Sequence, residues 1–595
     1  MRLLVRRGAI LAAASAATLA LLAQGAAVTD ASWTDPEWDF AEVGAVDCTD
    51  ADGNFLTRGA GQALSGSLLG VDLATVAEAS GVEVTNNGQR ALPSPDGASP
   101  APEDPAYADP LNVGLLNNAL GFDLTSYLQL PLDNSMGVLG QYGEAQSDGD
   151  ARGASGYITE TGGIATQPGS GYPELATLKL SSLLGALNHD LGDLLPDIAD
   201  AELQVGAVTG RASVEGCEYF WGSPEAAVNR EYLATDLLLR TKTPTLSALT
   251  GSLDDVIGEL EDTVNGLADD QGVLDSLLGA VTGLLDGLIS GVLGLGSVEA
   301  SLTASVDTSA LRDLIHPPEP LTDSGGVLAI DIENDTITVD TVALLQAAYP
   351  GQYSNGLNGL PPNTNLLADA QITNTLVQVL SDVLGDWLDQ VSGVLADTID
   401  GVQVNADVVL SLKVDAGLLG IVDIGAVTAT VSGSLGDLLK GDVTANVSTD
   451  LNLGLLGALL KPIVEGLVNT LVGGLVNELG ATVGGVVEGV LGPLRELPST
   501  VTGLVEPVVT ALSGLYEGLF LDGVVAVNIN AQNDPFTGSA ASSDWSTIPD
   551  GQYDVAAIRL GVLDSLGASN VALYLGRGSV GTVCSAASAS SCDGY

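Results

Sequence analysis

The stretch that decides the fold runs from residue 376 to residue 414 and reads LVQVLSDVLGDWLDQVSGVLADTIDGVQVNADVVLSLKV. In its first half, from Leu376 to Leu395, apolar residues recur every three or four positions, which indicates a helix with one apolar face. From Val402 to Val414 every second residue is apolar, which indicates a strand with one buried face. The stretch therefore predicts an amphipathic helix followed directly by a half-exposed β-strand.

The same order of helix and strand occurs twice more. Apolar residues at helical spacing from Leu253 to Leu285 precede an alternating run from Val298 to Val306. A helical block from Leu455 to Phe520 precedes another alternating run from Val525 to Ala531, and Leu328–Val339 predicts a hairpin with a polar turn. Small polar residues between the apolar ones place one strand face in water, as in antiparallel sandwiches. The predicted fold is mixed α+β and β-rich, with antiparallel β-sandwich-like sheets and interspersed Gly/Leu-rich amphipathic helices.

The changes of pattern divide the chain into five predicted segments. They are a signal peptide (1–27), an N-terminal β-rich domain with a Pro-rich loop (28–243), a helical block with strands and a hairpin (244–370), a helical block with alternating strands (371–453), and a helical block with a C-terminal β segment and a cysteine-clipped tail (454–595). The Pro-rich loop spans Leu92–Pro110, and Ala201–Val214 predicts a half-buried strand.

The chain of 595 residues is strongly acidic, with 18 Lys and Arg against 75 Asp and Glu and a formal net charge of −57. A disordered chain of this acidity is poor in apolar residues, whereas 46% of these residues are hydrophobic, so we expect a folded core. Phosphate backbones need clustered Lys and Arg, and an anionic membrane surface repels an acidic chain. We therefore expect no nucleic-acid partner. The expected partner is an envelope or extracellular component that the sequence does not identify.

The N-terminus predicts export. Three arginines within the first seven residues precede an apolar run from Gly8 to Leu22, and small residues follow through Ala27, which is the layout of a secretory signal peptide. This run is shorter than the roughly 20 residues that span a bilayer. Two internal apolar runs, 274–295 and 453–494, carry charges that are costly at a bilayer centre. We therefore expect no transmembrane span after signal cleavage and an extracellular or cell-surface location.

Four cysteines, Cys48, Cys217, Cys584 and Cys592, are an even number in a chain predicted to be exported, so disulfides are expected. Four cysteines permit three pairings. Cys584 and Cys592 are close in sequence and are expected to clip the C-terminal tail, which leaves Cys48 to pair with Cys217. Zinc binding is the disfavoured alternative, because the sequence has no Cys-x-x-Cys pair and neither histidine lies near a cysteine.

Catalytic motifs are missing from the sequence. The chain has two histidines, His189 and His316, and neither belongs to a nucleophile or metal-binding motif; the surface or a helix end is the expected place for each. We predict no catalytic residue, no cofactor and no enzymatic activity. A glycosidase needs only two suitably separated acids, but aromatic residues, which stack sugar rings, make up only 4% of the chain.

Two acidic stretches resemble calcium loops. Asp50 and Asp52 lie two residues apart before a glycine, and Asp148 and Asp150 flank another glycine. The first stretch lacks the bidentate Glu that calcium loops place at their twelfth position. A solvated turn is the preferred interpretation of both stretches, with calcium binding at these four aspartates as the alternative.

Four motifs carry a resemblance to a known family: ASWTDPEW at 31–38, QYGEAQSDG at 141–149, VAAIRLGVL at 555–563 and LYLGRGSVG at 573–581. Together they resemble the actinobacterial choice-of-anchor G family, over most of the mature chain. The resemblance implies a secreted or surface-attached protein of a Gram-positive actinobacterium, with no catalytic residues, whose relatives differ in their C-terminal anchor. The last residues of this chain show no recognisable anchor motif, so covalent wall attachment is not expected.

We hypothesise that the protein is a noncatalytic secreted or cell-surface protein that acts as an envelope structural component or adhesin. One alternative is a carrier of lipid or another apolar ligand, because the Gly- and Leu-rich helices at 246–295 and 455–520 are able to line a groove. A secreted hydrolase is the third hypothesis, for which no pair among the 75 acids can be singled out.

Overall fold

The computed structural model describes the chain from residue 54 onward, with gaps. The described residues are 54–131, 139–165, 176–187, 198–267, 275, 278–279, 282–283, 293–415, 421–440, 444–452, 483–485, 487–489, 491–518, 524–534, 536, 545, 548–563 and 571–585. The predicted signal peptide, Cys48, Asp50, Asp52, His189 and Cys592 lie outside the described residues.

The strands in chain order are β1 (Phe55–Leu68), β2 (Val71–Asp72), β3 (Val82–Asn87), β4 (Ala91–Ser94), β5 (Ser99–Pro100), β6 (Ala106–Ala108), β7 (Leu128–Gln129), β8 (Gly140–Ala145), β9 (Ala151–Gly156), β10 (Ala176–Lys179), β11 (Asp200–Val205), β12 (Val208–Val214), β13 (Val228–Ala234), β14 (Leu237–Lys242), β15 (Leu293–Ser305), β16 (Leu321–Thr322), β17 (Leu328–Asp331), β18 (Thr336–Asp340), β19 (Thr364–Asn365), β20 (Gln403–Asp415), β21 (Ile421–Ser434), β22 (Thr444–Leu451), β23 (Val525–Gln532), β24 (Tyr553–Val562), β25 (Val571–Val580) and β26 (Cys584–Ser585).

The α-helices are α1 (Val113–Leu120), α2 (Leu180–Ala186), α3 (Gly216–Trp221), α4 (Pro224–Ala227), α5 (Pro244–Gly266), α6 (Ser309–Ile315), α7 (Thr341–Ala348), α8 (Ala370–Asp400), α9 (Leu435–Lys440), α10 (Leu497–Thr502) and α11 (Val505–Tyr516). Short 3₁₀ turns occupy Leu73–Thr75, Ala77–Ala79, Leu124–Ser126, Gly356–Gly359 and Gly492–Glu496.

The decisive stretch folds as predicted, because α8 is followed almost immediately by β20. The Asp369 carboxylate caps α8 by accepting a hydrogen bond from the Gln371 backbone N–H at 2.7 Å. Along β20, residues such as Val404 and Val408 are buried and alternate with more exposed neighbours. The fold is mixed α+β and β-rich, as the sequence predicts, and its described strand pairings in the four sheets are antiparallel.

Strands from distant parts of the chain share the four sheets. The first sheet has the order β19-β23-β24-β25-β1-β3-β4, and β2 and β26 also pair with β1. The second sheet has the order β13-β12-β9-β8-β6-β5, the third β16-β17-β18-β14-β11-β10-β7, and the fourth β15-β20-β21-β22. All described residues belong to one compact unit that spans Thr49–Tyr595. The first, third and fourth sheets each combine strands from more than one predicted segment, whereas the strands of the second sheet all lie within the predicted segment 28–243.

The first and second sheets pack face to face with their backbones in contact. A Cβ atom added at Gly61 of β1 meets the Ala154 carbonyl oxygen at 2.0 Å. One added at Gly153 of β9 meets the Ala60 carbonyl oxygen at 2.1 Å. Sandwich sheets ordinarily pack about 10 Å apart with side chains between them. Here the approach leaves room for glycine alone at these positions.

This glycine contact extends across several strands of both sheets. A Cβ atom at Gly210 of β12 meets the Gly576 carbonyl oxygen at 2.2 Å, and one at Gly578 of β25 meets the Gly153 carbonyl oxygen at 2.5 Å. The Ser155 hydroxyl bridges the gap, since it lies 2.7 Å from the carbonyl oxygen of Gln62 and 2.8 Å from that of Arg577. The small residues of these strands thus allow the backbones of the two sheets to pack closely.

The third sheet and the longer helices share the largest apolar core. The apolar stripe of α5 is buried there, as are Leu380, Leu384 and Leu388 of α8. The indole N–H of Trp387 donates a hydrogen bond to the Leu314 carbonyl oxygen at 3.0 Å, which ties α8 to α6. The opposite side of α8 faces solvent, because Asp382, Asp386 and Asp389 are exposed.

Two local expectations differ from the structure. Part of the predicted Pro-rich loop forms the strands β4, β5 and β6. The prolines lie in β4 and β5, which are edge strands, and an edge strand does not need every N–H for pairing. Residues 201–214 form two strands, β11 in the third sheet and β12 in the second, where one strand was expected. The chain changes sheet at Gly206, where an added Cβ atom would meet Thr235 Oγ1 at 2.5 Å.

We predict that Gly61→Ala lowers the free energy of unfolding by about 3 kcal/mol, because the added methyl group forces the two sheets apart. The matched control is Gly251→Ala in α5, where nothing lies within 4 Å of the added Cβ atom. This control is expected to raise the free energy of unfolding by about 0.5–1 kcal/mol through helix propensity. Urea denaturation followed by circular dichroism measures both changes. Equal small effects of the two substitutions would contradict backbone contact between the sheets.

Candidate functional site

The short helix α3 follows β12 and carries three consecutive aromatic residues, Tyr219, Phe220 and Trp221. Its start is held by the turn between β8 and β9, because the Asp150 carboxylate accepts a hydrogen bond from the Gly216 backbone N–H at 2.9 Å. Gly149 in this turn has a φ of 92° and packs close to Gly216 and Phe55. The turn and α3 are therefore fixed against each other at one end of the packed sheets.

Aromatic rings from three other places in the chain gather around α3. The ring centroids of Phe220 and Phe55 are 5.5 Å apart, and those of Phe220 and Trp221 are 5.0 Å apart, both edge to face. Tyr553, at the start of β24, lies 6.0 Å from Tyr219 and 5.5 Å from Phe536. Edge-to-face pairs at these distances are mutually attractive. We call Tyr219, Phe220, Trp221, Phe536 and Tyr553 the aromatic patch.

Much of the aromatic patch is open to solvent. Trp221 is 59% exposed, Phe220 42% and Phe536 37%. In the part of the chain that the structure describes, the large hydrophobic side chains that are exposed are these three and Leu115. Isolated exposed hydrophobic residues need no explanation, but a contiguous patch marks an interaction surface. The patch is therefore the candidate functional site.

The Arg230 side chain of β13 packs against two rings of the patch. Its guanidinium carbon lies 5.0 Å from the ring centroid of Phe536 and 5.7 Å from that of Tyr553. Its Nη2 donates a hydrogen bond to the Asp534 carbonyl oxygen at 2.6 Å, while Nη1 is buried without a partner among the described residues. Burial lowers the pKa of Arg230, and the negative charge of Asp534 opposes that shift. A cation beneath two rings stabilises their arrangement.

The Tyr553 hydroxyl of the patch gives up its proton less readily than an ordinary tyrosine. Burial raises the pKa of Tyr553 well above its ordinary value, and the Tyr219 hydroxyl, 3.4 Å away, raises it further. Tyr553 therefore stays protonated at neutral pH. The patch offers ring faces, hydroxyl groups and one guanidinium, which are groups for binding.

The sequence prediction did not include this site, because the overall aromatic fraction of 4% does not show that several aromatic residues cluster locally. The sequence feature that indicates an aromatic cluster is the run of three consecutive aromatic residues, Tyr219, Phe220 and Trp221. Phe536 and Tyr553 had no such signal, since the fold alone brings them to α3.

The calcium candidates Asp148 and Asp150 belong to the hairpin turn that supports α3. The Asp148 carboxylate accepts a hydrogen bond from the Asp150 backbone N–H at 3.1 Å. The Asp150 carboxylate in turn accepts one from the Gly216 backbone N–H. Burial raises the pKa of Asp150. Within the described residues, no group of three or more His, Cys, Asp and Glu side chains is arranged to hold a metal ion. The predicted turn accounts for Asp148 and Asp150.

Of the cysteines and histidines, the structure describes Cys217, Cys584 and His316. Cys217 in α3 and Cys584 in β26 are both disulfide-bonded. Because Cys48 and Cys592 lie outside the described residues, the pairing of the four cysteines stays a prediction. His316 follows α6 directly, is exposed and lies 3.3 Å from the Asp254 carboxylate.

A buried ion pair lies in the same strands that carry Tyr553. The Asp554 carboxylate is fully buried and lies 2.6 Å from Arg577 Nη2, and Gln552 donates to it at 3.2 Å. Burial alone raises the pKa of Asp554, but the charges of Arg577 and Arg58 and a hydrogen bond from Ser579 outweigh it, so the pKa lies below its ordinary value. The pair thus stabilises the ionised carboxylate inside the protein.

We predict that Arg577→Met lowers the free energy of unfolding at pH 7 by about 3–5 kcal/mol, because it leaves Asp554 buried without its countercharge. The control is Arg312→Met, which breaks a more exposed pair with Glu261 and is expected to cost less than about 1 kcal/mol. Urea denaturation gives both values.

The same pair makes stability pH-dependent. A carboxyl whose pKa is lower in the folded state contributes stability that is present above its unfolded pKa and lost as the pH falls through the folded pKa. Acid titration of the wild type should show this loss below about pH 4, which is the ordinary range for Asp. In Arg577→Met the pKa of the buried Asp554 carboxyl should rise, so this loss of stability on acidification should be smaller or absent. Superimposable acid-unfolding curves would show that Arg577 does not hold down the pKa of Asp554.

No helix among the described residues combines the length and the apolar character that a membrane crossing requires. A family model described as a domain of unknown function (DUF8394) matches residues 59–581, from β1 to the end of β25. No curated protein and no solved structure matches the chain.

Proposed function

The chain belongs to the DUF8394 family, a domain of unknown function, and we propose that it is a noncatalytic secreted or cell-surface protein that acts as an envelope structural component or adhesin. The aromatic patch carries this proposal. The aromatic patch presents exposed rings at one end of two packed sheets. Close contact between the backbones of these sheets makes the scaffold rigid. A rigid scaffold with an exposed binding surface suits a protein that attaches to other envelope components.

The location proposed for the protein rests on the N-terminal sequence. The signal-peptide layout of residues 1–27 and the even number of cysteines support export, and the disulfide bonds of Cys217 and Cys584 suit an oxidising compartment. The resemblance to the choice-of-anchor G family supports the envelope of a Gram-positive actinobacterium as the setting.

We predict that the protein, tagged internally at the exposed turn Pro350–Gln352, is recovered from the medium and from a salt wash of the envelope. Deleting residues 1–27 should abolish its export. Trp221→Ala should move protein from the envelope fraction to the medium, because it removes the most exposed ring of the patch. Leu115→Ala, which removes an exposed apolar side chain elsewhere, should leave the distribution unchanged.

Immunoblots of the cytoplasmic, envelope and medium fractions measure these distributions. A stable cytoplasmic pool of the wild type would refute export. Equal envelope retention of wild type and Trp221→Ala would refute attachment through the patch. Release only by wall-digesting enzymes would instead indicate covalent attachment.

One observation favours a second candidate function, a carrier of an apolar ligand. A cavity of about 620 Å³ lies between α6, β16 and α8. Its apolar lining includes Leu314, Val383 and Trp387, and Asp382 and Asp386 also line it. This volume lies in the range of small-molecule sites. The acidic residues at the cavity favour a ligand with a cationic group.

We predict for this second function that mass spectrometry of the purified protein detects a copurified amphiphile. Val383→Asp should lower its amount because it places a charge in the apolar lining, and Asp389→Asn, on the same helix outside the cavity, serves as the control. A spectrum free of small molecules would remove the carrier function.

A further inference from the structure

The exposed rings of the aromatic patch offer a small area. Aromatic side chains bury roughly 150–250 Å² each, so the exposed fractions of Trp221, Phe220 and Phe536 amount to roughly 300 Å². A stable protein–protein interface buries about 800 Å² on each partner. The patch therefore fits a compact unit of a ligand better than the surface of a folded protein.

The charge of the chain excludes several ligands from this surface. With a net charge of −57, the protein repels phosphate-rich polymers and anionic lipid headgroups. Asp534 and Glu218 are exposed close to the rings, and the one cation within the patch, Arg230, is partly buried beneath two of them. An uncharged ligand meets none of this repulsion.

The chemistry of the patch matches a sugar ring. A pyranose has C–H groups on its faces, which pack against aromatic rings, and hydroxyl groups around its edge, which need hydrogen-bond partners. The patch combines exposed aromatic rings with nearby carboxylates and with the Tyr219 hydroxyl, which lies 3.4 Å from that of Tyr553. A purely apolar ligand would leave these polar groups without water or partners.

We propose that the aromatic patch binds a neutral polysaccharide of the cell envelope, with Trp221 and Phe220 packing against its sugar rings. This inference rests on the proposed function, since it identifies what the adhesive surface recognises. Trp221 is the main contact because it is the most exposed ring, and Phe220 holds it in place through their edge-to-face contact. Phe536 extends the surface on the other side of Tyr553.

The test measures binding of the purified full chain to envelope fragments that are stripped in steps. Organic solvent removes lipid, protease removes protein, hydrofluoric acid removes phosphate polymers, and periodate finally opens sugar rings that carry adjacent hydroxyls. Binding should survive the first three treatments and be lost after periodate. Binding should also change by less than about twofold between low and high salt, because a neutral polysaccharide carries no charge whose attraction salt could screen.

Variants at one position distinguish ring packing from general hydrophobic contact. Trp221→Leu should weaken binding to the stripped polysaccharide by about tenfold or more, as expected for loss of a dominant contact residue. Trp221→Tyr keeps a ring and should stay within about threefold of the wild type. Leu115→Ala should bind like the wild type. Circular dichroism of each variant confirms that it is folded.

Each outcome separates this inference from the proposed function. Loss of binding at the solvent, protease or hydrofluoric acid step would overturn the polysaccharide and leave an adhesin for lipid, protein or a phosphate polymer. Equal binding by Trp221→Leu and Trp221→Tyr would overturn ring packing. Failure of the wild type to bind untreated envelope would overturn the proposed function itself, and the inference with it.

Discussion

Close contact between two sheet backbones is the constraint on which the rest of this structure depends. Gly61, Gly153, Gly210 and Gly578 allow carbonyl oxygens of the opposite sheet to approach where any side chain would collide. Such contact leaves only small apolar clusters between the two sheets, and the largest apolar cluster joins the third sheet, the helices and parts of the first and fourth sheets. The protein thus has a thin, rigid double sheet and a conventional core side by side. Three of the motifs behind the family resemblance, at 141–149, 555–563 and 573–581, lie in this double sheet, which indicates that they are required for packing.

The rigidity of the double sheet explains how residues far apart in sequence form one binding surface. Phe55, Tyr219 and Tyr553 begin or follow strands of both sheets at the same end, and the turn containing Asp150 fixes α3 between them. Because the strands cannot slide without breaking the glycine contact, the rings keep their mutual positions. A preorganised surface loses little conformational entropy on binding, so even a few rings can contribute useful affinity. The buried Asp554–Arg577 pair lies in the same strands and adds to their stability.

Local sequence patterns predicted where several helices and strands lie. They did not predict which strands share a sheet or how the sheets pack. The stripe of α8, the alternation of β20 and the hairpin of β17 and β18 follow from periodicity alone, because each buries one face. The glycine-rich strands β1, β9 and β25 show no apolar alternation, since their close contacts are made by backbone, and periodicity has nothing to detect there. The candidate site was missed for a related reason. Its rings come from three places in the chain, and only Tyr219, Phe220 and Trp221 are neighbours in sequence.

The position of β1 in the first sheet has a consequence for how the chain acquires its structure. Residues 55–68 pair on one side with residues 571–580, which are synthesised much later. Until those residues arrive, β1 has an open edge, and the second sheet has no complete surface to pack against. Pairing at such sequence separation is slow, because a very long loop must close before the contact forms. The first sheet consequently stays incomplete until residues 571–580 have been synthesised.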